Sequence, residues 1–340
     1  MPGLQHVLPQ LPRGRAPGRR APHAAVLHGR AHLDRGRLDG RGVGPARGDS
    51  GRVGGPGVSL DGISDGGRFG VLAIDHRDSL RAVLAPEDPD SVSTEDITDL
   101  KRELVGALAA GATGVMLEPE YSIPQLLDGT LPDGVGFTAA LEAQGYASDP
   151  EAGAVELLEG WSVAAAAASG AAAAKLLAFY RPDRPGHAAA QEEAVAAILA
   201  ECRRVGIPLV LEPLFYGLDD PSARRRLVVK TVERFAAMDP HLLKLPFPVD
   251  PAHEPDRAVW AEACADITAR CHMPWTLLSG GGSYESYRDQ LAAAVSAGCS
   301  GFMAGRALWG EAALAPPADR SRIIAEVVAS RLAELRNLLA

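Results

Sequence analysis

The feature that most constrains the fold is a regular alternation of short apolar runs with longer amphipathic stretches beyond about residue 65. Each apolar run has the length of a strand, and most of the stretches between them have helical period, which is typical of repeated βα units. The predicted strands are 69–75, 114–118, 136–141, 173–180, 208–213, 242–247, 275–279 and 301–304.

Predicted helices separate most of these strands, at 95–110, 155–168, 188–205, 222–237, 256–271 and 284–297, and closing helices follow the last strand. Eight strands within about 270 residues match the size of a (β/α)₈ barrel. The competing fold is an open doubly wound sheet, which would carry a glycine-rich loop after its first strand. No such loop follows Asp75. The sequence therefore predicts an α/β protein with the (β/α)₈ TIM-barrel fold.

Residues 1–57 have a different composition, rich in Gly, Pro and Arg, with no apolar period and no aromatic side chain. Such a segment cannot bury enough surface to offset the entropy lost on ordering. One interpretation is a basic tail that contacts nucleic acid or a partner. The other, which we prefer, is a disordered extension or translated sequence upstream of the true start. We therefore predict two parts, an extension over 1–57 and a barrel domain over 58–340.

Charge is divided unevenly between these parts and limits the partners of the predicted barrel. Residues 1–57 carry a net charge of +7, and the remainder carries −16. An acidic body repels nucleic acid and anionic lipid, and no run of eighteen apolar residues offers a membrane span. We expect neither partner. The sequence leaves open whether the protein forms a homo-oligomer.

The cysteines and histidines do not predict a metal site or a cofactor. The four cysteines are scattered without a C-x-x-C pair, which argues against zinc and against a disulfide framework and favours a reducing cytoplasm. The histidines lie in separate loops without metal-ligand spacing. We expect no metal and no cofactor.

Ionisable residues are concentrated at the carboxyl ends of the predicted strands, where barrel enzymes place their chemistry. The positions are Asp75-His76-Arg77, Glu118-Pro119-Glu120-Tyr121, Lys175, Glu212, Lys244, Ser279-Gly280-Gly281-Gly282 and Gly305-Arg306.

Two lysines give the sharpest functional signal, because the chain has only four Lys against thirty Arg. Lys101 and Lys230 lie on polar helical stretches, where exposure to solvent would explain them. Lys175 and Lys244 interrupt apolar strands, so each must point into the barrel toward carboxylates or a ligand.

A buried ion pair that only stabilises the fold could explain one of these lysines. Two lysines, with Asp75 and Glu212 on other strands, instead form a cluster of coupled charges that indicates a functional site. A neighbouring cation lowers the pKa of an amine and makes it a nucleophile, and arginine cannot replace lysine in this role. Glu212 and Asp75 are the candidate general acid–base groups.

The glycine-rich stretch after the seventh predicted strand offers consecutive backbone N–H groups at the start of a helix, an arrangement that binds anions. Gly305 and Arg306 follow the eighth strand, and the loops after these two strands form the usual phosphate site of such barrels. We therefore expect an anion site that includes Ser279, Gly280, Gly281, Gly305 and Arg306. His76 is the histidine of interest, because it adjoins Asp75.

Taken in order, these segments resemble the class I tagatose-1,6-bisphosphate aldolase family and the related 6-deoxy-6-sulfofructose-1-phosphate aldolases. The resemblance covers nearly all of residues 65–335. It rests on LAIDHR (72–77), LEPEY (117–121), AKLL (174–177), LEP (211–213), LLK (242–244), MPWTLLS (273–279) and GCSGFMAGRALW (298–309).

The resemblance implies a metal-independent (β/α)₈ aldolase in which Lys244 forms a Schiff base with a sugar phosphate. It also implies roles for the second lysine, Lys175, the acid–base Glu212, the strand-one carboxylate Asp75 and a phosphate end at the glycine-rich loops. His76 and Arg77 would contact the substrate.

Three departures from the family pattern bear on substrate choice. His76 stands where Gln is usual, Pro246 stands where Glu is common, and Ser279-Gly-Gly-Gly replaces Ser-x-Gly-Val. The expected reaction is cleavage of a ketose 1-phosphate or 1,6-bisphosphate to dihydroxyacetone phosphate and an aldehyde. The alternatives are action on a sulfonated or unphosphorylated substrate, and a non-catalytic barrel that senses sugar phosphate.

Overall fold

Eight parallel strands close into a barrel in sequence order, each strand pairing with the next and the last with the first. The computed structural model describes residues 58–143 and 153–340. The strands are β1 (Phe69–Ala73), β2 (Gly114–Leu117), β3 (Phe137–Ala140), β4 (Ala173–Phe179), β5 (Leu209–Leu214), β6 (Leu242–Leu245), β7 (Trp275–Leu278) and β8 (Gly301–Ala304). The predicted TIM barrel is confirmed, whereas the prediction for 1–57 lies outside the described residues.

Helices cover the outside of the barrel. They are α1 (Asp78–Leu84), α2 (Thr94–Leu108), α3 (Ile123–Leu126), α4 (Val163–Ala168), α5 (Pro185–Val205), α6 (Arg224–Ala236), α7 (Arg257–Thr268), α8 (Tyr284–Ser296), α9 (Arg306–Leu314), α10 (Pro317–Ile323) and α11 (Ala329–Asn337). Several begin at a side-chain cap, and Ser93 and Asp96 form a reciprocal capping box at the start of α2. None of the helices in the described ranges is long and apolar enough to cross a membrane.

The interior of the barrel forms its own small core, separate from the layer between strands and helices. Val71, Met116 and Val210 are among its residues. Val210 pairs with Leu242 in the β5–β6 register, and two residues further along each strand the same face carries Glu212 and Lys244. The apolar interior therefore supports the charged groups at the carboxyl ends of the strands.

The amino-terminal end of the barrel is closed by a short 3₁₀ turn, Asp61–Ile63. Ile63 packs into the interior core, and its carbonyl accepts a hydrogen bond from Thr113 at 2.8 Å. A Cβ at Gly136 would lie 1.9 Å from the carbonyl oxygen of Gly62, so this approach requires glycine. The charged cluster lies at the opposite end of the barrel, where the strands carry Glu212 and Lys244.

The structure corrects one predicted helix. The helix predicted over 155–168 begins only at Val163. Leu157 instead forms an antiparallel bridge with Glu142, flanked by hydrogen bonds from Ala143 N to Glu156 O and from Leu158 N to Leu141 O. Backbone pairing therefore takes the place of a helical turn here, and it fixes the segment that carries Glu142.

Candidate active site

Lys244 lies in the middle of β6, with the leucines on either side of it packed in the outer core. Strand alternation therefore turns the lysine into the barrel. Its Nζ lies 2.9 Å from Oε2 of Glu212 and 3.7 Å from Sδ of Met116, and the residue is 5% exposed. The amine is held at the barrel mouth beside a single carboxylate.

Lys175 lies at the centre of three carboxylates. Its Nζ is 2.8 Å from Asp75, 2.7 Å from Glu142 and 3.1 Å from Glu212. Burial opposes its charge, but the attraction of the three carboxylates outweighs burial and raises the pKa of Lys175 well above its ordinary value. The three carboxylates therefore stabilise the charged form of Lys175, and both lysines contact Glu212 Oε2.

Asp75 lies two residues beyond Ala73, the last residue of β1, and its carboxylate meets Lys175. Burial alone would raise the pKa of Asp75, but the charges of Lys175 and Lys244 outweigh it and hold the pKa well below the usual range. A carboxylate so strongly stabilised in its charged form is a poor proton acceptor. The structure thus brings together the four residues that the sequence grouped: Asp75, Lys175, Glu212 and Lys244.

Glu142 is a member of this cluster that the sequence reading missed. Its Oε1 accepts from Lys175, its Oε2 accepts from the backbone N–H of Leu177 at 3.1 Å, and the residue is 5% exposed. The predicted third strand ended at Leu141, one residue short of it. Glu142 lies two residues after Ala140, which is in register with Lys175. Continuing the period-two alternation by one residue would have identified it.

The predicted anion-binding residues also lie together, after β7, β8 and β1. Ser279 Oγ accepts from the backbone N–H of Gly305 at 3.2 Å, and Gly280 and Gly281 adopt positive φ angles of 58° and 81°. A Cβ at Gly281 would lie 3.4 Å from the Arg306 guanidinium carbon. The turn therefore brings its backbone close to Arg306, with a positive φ at Gly281 that favours glycine.

Among the buried polar atoms at this end that have no hydrogen-bond partner in the described residues are Nε of Arg306, Nδ1 of His76 and Nε of Arg77. Burial lowers the pKa of His76 to about 3, despite the Asp75 carboxylate 3.9 Å away, so the imidazole is neutral at pH 7. Its ring packs edge-on against Trp309, at 5.2 Å between centroids. The atoms of Arg306 and His76 are therefore buried polar groups beside the predicted anion site.

Arg77, expected at the substrate, is 1% exposed and engaged with the protein. Its two terminal nitrogens donate to Oε2 of Glu120 at 2.7 Å and to the backbone carbonyl of Glu142 at 2.6 Å. The side chain therefore makes its contacts with the neighbouring strand ends, one of which carries Glu142.

Lys101 was expected to be exposed on a polar helix, and that expectation is wrong. Lys101 and Glu118 form an ion pair in which both side chains are 0% exposed. The lysine lies on α2, and Glu118 directly follows β2. The error arose because the buried face of α2 includes this lysine, whose long chain reaches a carboxylate at the strand end. Lys230 is exposed, as expected.

No group of three or more His, Cys, Asp or Glu in the described ranges is arranged to hold a metal ion. The chemistry that this geometry offers is that of amines and carboxylates held at a barrel mouth, beside backbone N–H groups and an arginine.

Comparison with known proteins identifies the family. A family model described as DeoC/LacD family aldolase matches residues 69–311. Tagatose 1,6-diphosphate aldolase 1 of Streptococcus pyogenes serotype M3 (strain SSI-1) is 28% identical over 279 residues, which cover 74% of this chain and 83% of the relative.

Solved structures agree in fold. A protein of Corynebacterium glutamicum superposes with a TM-score of 0.59 at 20% identity, covering 82% of this chain and 87% of that one. A Schiff base-forming fructose-1,6-bisphosphate aldolase superposes with a TM-score of 0.52 at 17% identity, covering 79% and 93%. The chain belongs to the DeoC/LacD family of aldolases, and its activity is that of a carbon–carbon lyase.

Proposed function

We propose that this protein is a class I aldolase that cleaves a ketose 1-phosphate or 1,6-bisphosphate, resembling tagatose 1,6-bisphosphate, into dihydroxyacetone phosphate and an aldehyde. The observation that carries the proposal is the Lys244 amine, buried at the barrel mouth and 2.9 Å from Glu212. The relatives named as tagatose 1,6-diphosphate aldolases support the substrate class.

The first half of the reaction forms the Schiff base. Lys244 passes a proton to Glu212, and its free amine attacks the C2 carbonyl of the ketose to give a carbinolamine. Glu212 then protonates the departing hydroxyl, which leaves as water, and an iminium ion joins Lys244 to C2. Glu212 suits both transfers because its Oε2 lies within hydrogen-bond distance of the Lys244 nitrogen.

The second half breaks the C3–C4 bond. Glu212 removes the proton of the C4 hydroxyl, the C3–C4 electron pair moves toward the iminium, and the aldehyde departs, leaving an enamine. Protonation of C3 and hydrolysis by water release dihydroxyacetone phosphate and free Lys244. Asp75 is the weaker candidate for this base, because Lys175 and Lys244 hold its pKa low. Lys175 supplies a fixed positive charge beside Glu212 and a donor for a substrate hydroxyl.

The phosphate of the substrate is assigned to the cleft between the glycine-rich turn and α9. Backbone N–H groups of Gly280 and Gly281 and the Arg306 guanidinium would bind its oxygens. The neutral His76 adds one uncharged polar group at the same place. In an otherwise acidic body, this cleft collects the donors that an anion needs.

The test is to trap the Schiff base. Borohydride reduction with dihydroxyacetone phosphate should add the mass of the reduced triose phosphate at Lys244. The Lys244→Ala protein should give no adduct and no measurable cleavage, since it lacks the nucleophile. Lys230→Ala is the matched control, because Lys230 is exposed on α6. This variant should keep both the borohydride adduct and the cleavage activity. Full activity in Lys244→Ala would end the proposal.

A further inference from the structure

One guanidinium links the ends of three neighbouring strands. Arg77 itself follows β1, its partner Glu120 lies in the turn after β2, and Glu142 follows β3. The contacts are 2.7 Å to the Glu120 carboxylate and 2.6 Å to the Glu142 carbonyl oxygen. Arg77 is 1% exposed, so its contact with the Glu142 carbonyl is shielded from competition by water, whereas the Glu120 side chain is 36% exposed.

The segments that Arg77 links also carry two of the three carboxylates around Lys175. Asp75 lies two residues before Arg77 in the segment that follows β1. Glu142 is the residue whose carbonyl accepts a hydrogen bond from Arg77. Their carboxylates lie 2.8 and 2.7 Å from Lys175 Nζ. A shift of either segment would therefore move a partner of the Lys175 ammonium and, through it, Glu212.

The turn that presents Glu120 is itself fixed by the buried ion pair beneath it. The Glu118 carboxylate accepts hydrogen bonds from the backbone N–H groups of Glu120, at 2.8 Å, and of Tyr121, at 3.1 Å. Lys101 neutralises this carboxylate from α2, with its Nζ 5.6 Å from the centre of the Tyr121 ring. An uncompensated carboxylate here would be costly, so the pair maintains the conformation of the turn.

We propose that Arg77 is a positioning residue that holds Asp75 and Glu142 around Lys175, and that the Lys101–Glu118 pair holds Glu120 as its anchor. The inference rests on the proposed function, in which Lys175 serves the reaction beside Glu212. It assigns Arg77 no contact with the substrate, since its two terminal nitrogens are engaged with Glu120 and Glu142.

The inference predicts a separation of kcat from KM. In Arg77→Met, Lys175 loses its fixed position and kcat falls by about 10²-fold, the effect of displacing a reacting group by about 1 Å. KM for the ketose phosphate changes less than about threefold, because the phosphate cleft is intact. For the same reason, the concentration of dihydroxyacetone phosphate that half-saturates borohydride trapping changes less than about threefold.

A milder variant keeps the test decisive if Arg77→Met does not fold. Glu120→Gln removes the charge of the anchor at a residue whose side chain is 36% exposed, and it should lower kcat severalfold with an unchanged melting temperature. Arg102→Gln is the control. Arg102 neighbours Lys101 on α2 but binds Asp128 at the surface, so its loss should leave kcat and KM unchanged.

Two results would overturn the inference: a KM that rises more than tenfold with kcat preserved, which would make Arg77 a substrate ligand, or an unchanged kcat in the folded variants. Failure of the proposed function would look different, because wild-type Lys244 would then give no borohydride adduct. The wild-type trapping experiment reports on Lys244, and the kinetics of the variants report on Arg77.

Discussion

At the scale of single residues, the stability of the site depends on one cation among three buried carboxylates. Lys175→Met leaves Asp75, Glu142 and Glu212 without their shared partner, so the free energy of unfolding at pH 7 should fall by about 3–5 kcal/mol. Lys244→Met should cost less, since Glu212 is the carboxylate that Lys244 contacts and that carboxylate keeps Lys175. Urea unfolding of both variants measures the difference. Equal losses would show that Lys175 is not the centre of the charge cluster.

The residues that could be predicted from sequence are those whose type is unusual for their position. Lys175 and Lys244 interrupt apolar strands in a chain that otherwise uses arginine, so their inward direction followed from strand alternation. Glu142 and the Lys101–Glu118 pair gave no such signal, because a carboxylate after a strand and a lysine on a polar helix are ordinary in sequence. Only the assembled barrel brings Lys101 to Glu118.

At the scale of secondary-structure elements, helix α2 depends on its capping box for its start. Ser93 Oγ accepts from the backbone N–H of Asp96 at 3.0 Å, and the Asp96 carboxylate accepts from the backbone N–H of Ser93 at 3.1 Å. Ser93→Ala should lower the free energy of unfolding by about 1 kcal/mol, since one N–H group of the first turn loses its acceptor.

The effect of Ser93→Ala should be confined to stability, because the hydrogen bonds of the cap join Ser93 to Asp96, and neither is a residue of the candidate site. Ser296→Ala is a suitable control: its Oγ donates to the Ala293 carbonyl near the end of α8 and caps no helix start. Thermal unfolding should separate the two variants, and equal melting temperatures would contradict the role of the cap.

Element types and order were predictable because the periods differ, two for strands and 3.6 for helices, and glycines and prolines mark the turns. The helix prediction failed for the segment 155–161. Its apolar residues fit a helix locally, but backbone pairing with residues 141–143 after β3 decides its conformation. Contacts between segments distant in sequence override local preference, and no local pattern reveals them.

At the scale of the whole molecule, the burial of neutral His76 couples the unfolding of the barrel to pH. Burial lowers its pKa from 6.5 to about 3 in the folded protein, so between these values the unfolded chain binds a proton that the folded protein does not. The stabilisation is complete above pH 6.5 and is lost as the pH falls toward 3. At pH 5 this one group should reduce the free energy of unfolding by about 2 kcal/mol relative to pH 7.

The variant that isolates this effect is His76→Gln, which keeps a polar side chain of similar reach and removes the titrating ring. Urea unfolding at pH 7, 6 and 5 should show a shallower loss of stability in His76→Gln than in the wild type. His253→Gln, at an exposed position, should keep the wild-type slope. A slope in His76→Gln equal to that of the wild type would mean that the imidazole is accessible to protons in the folded barrel. The ring would then be protonated at low pH and would add a second positive charge, beside that of Arg306, at the phosphate cleft.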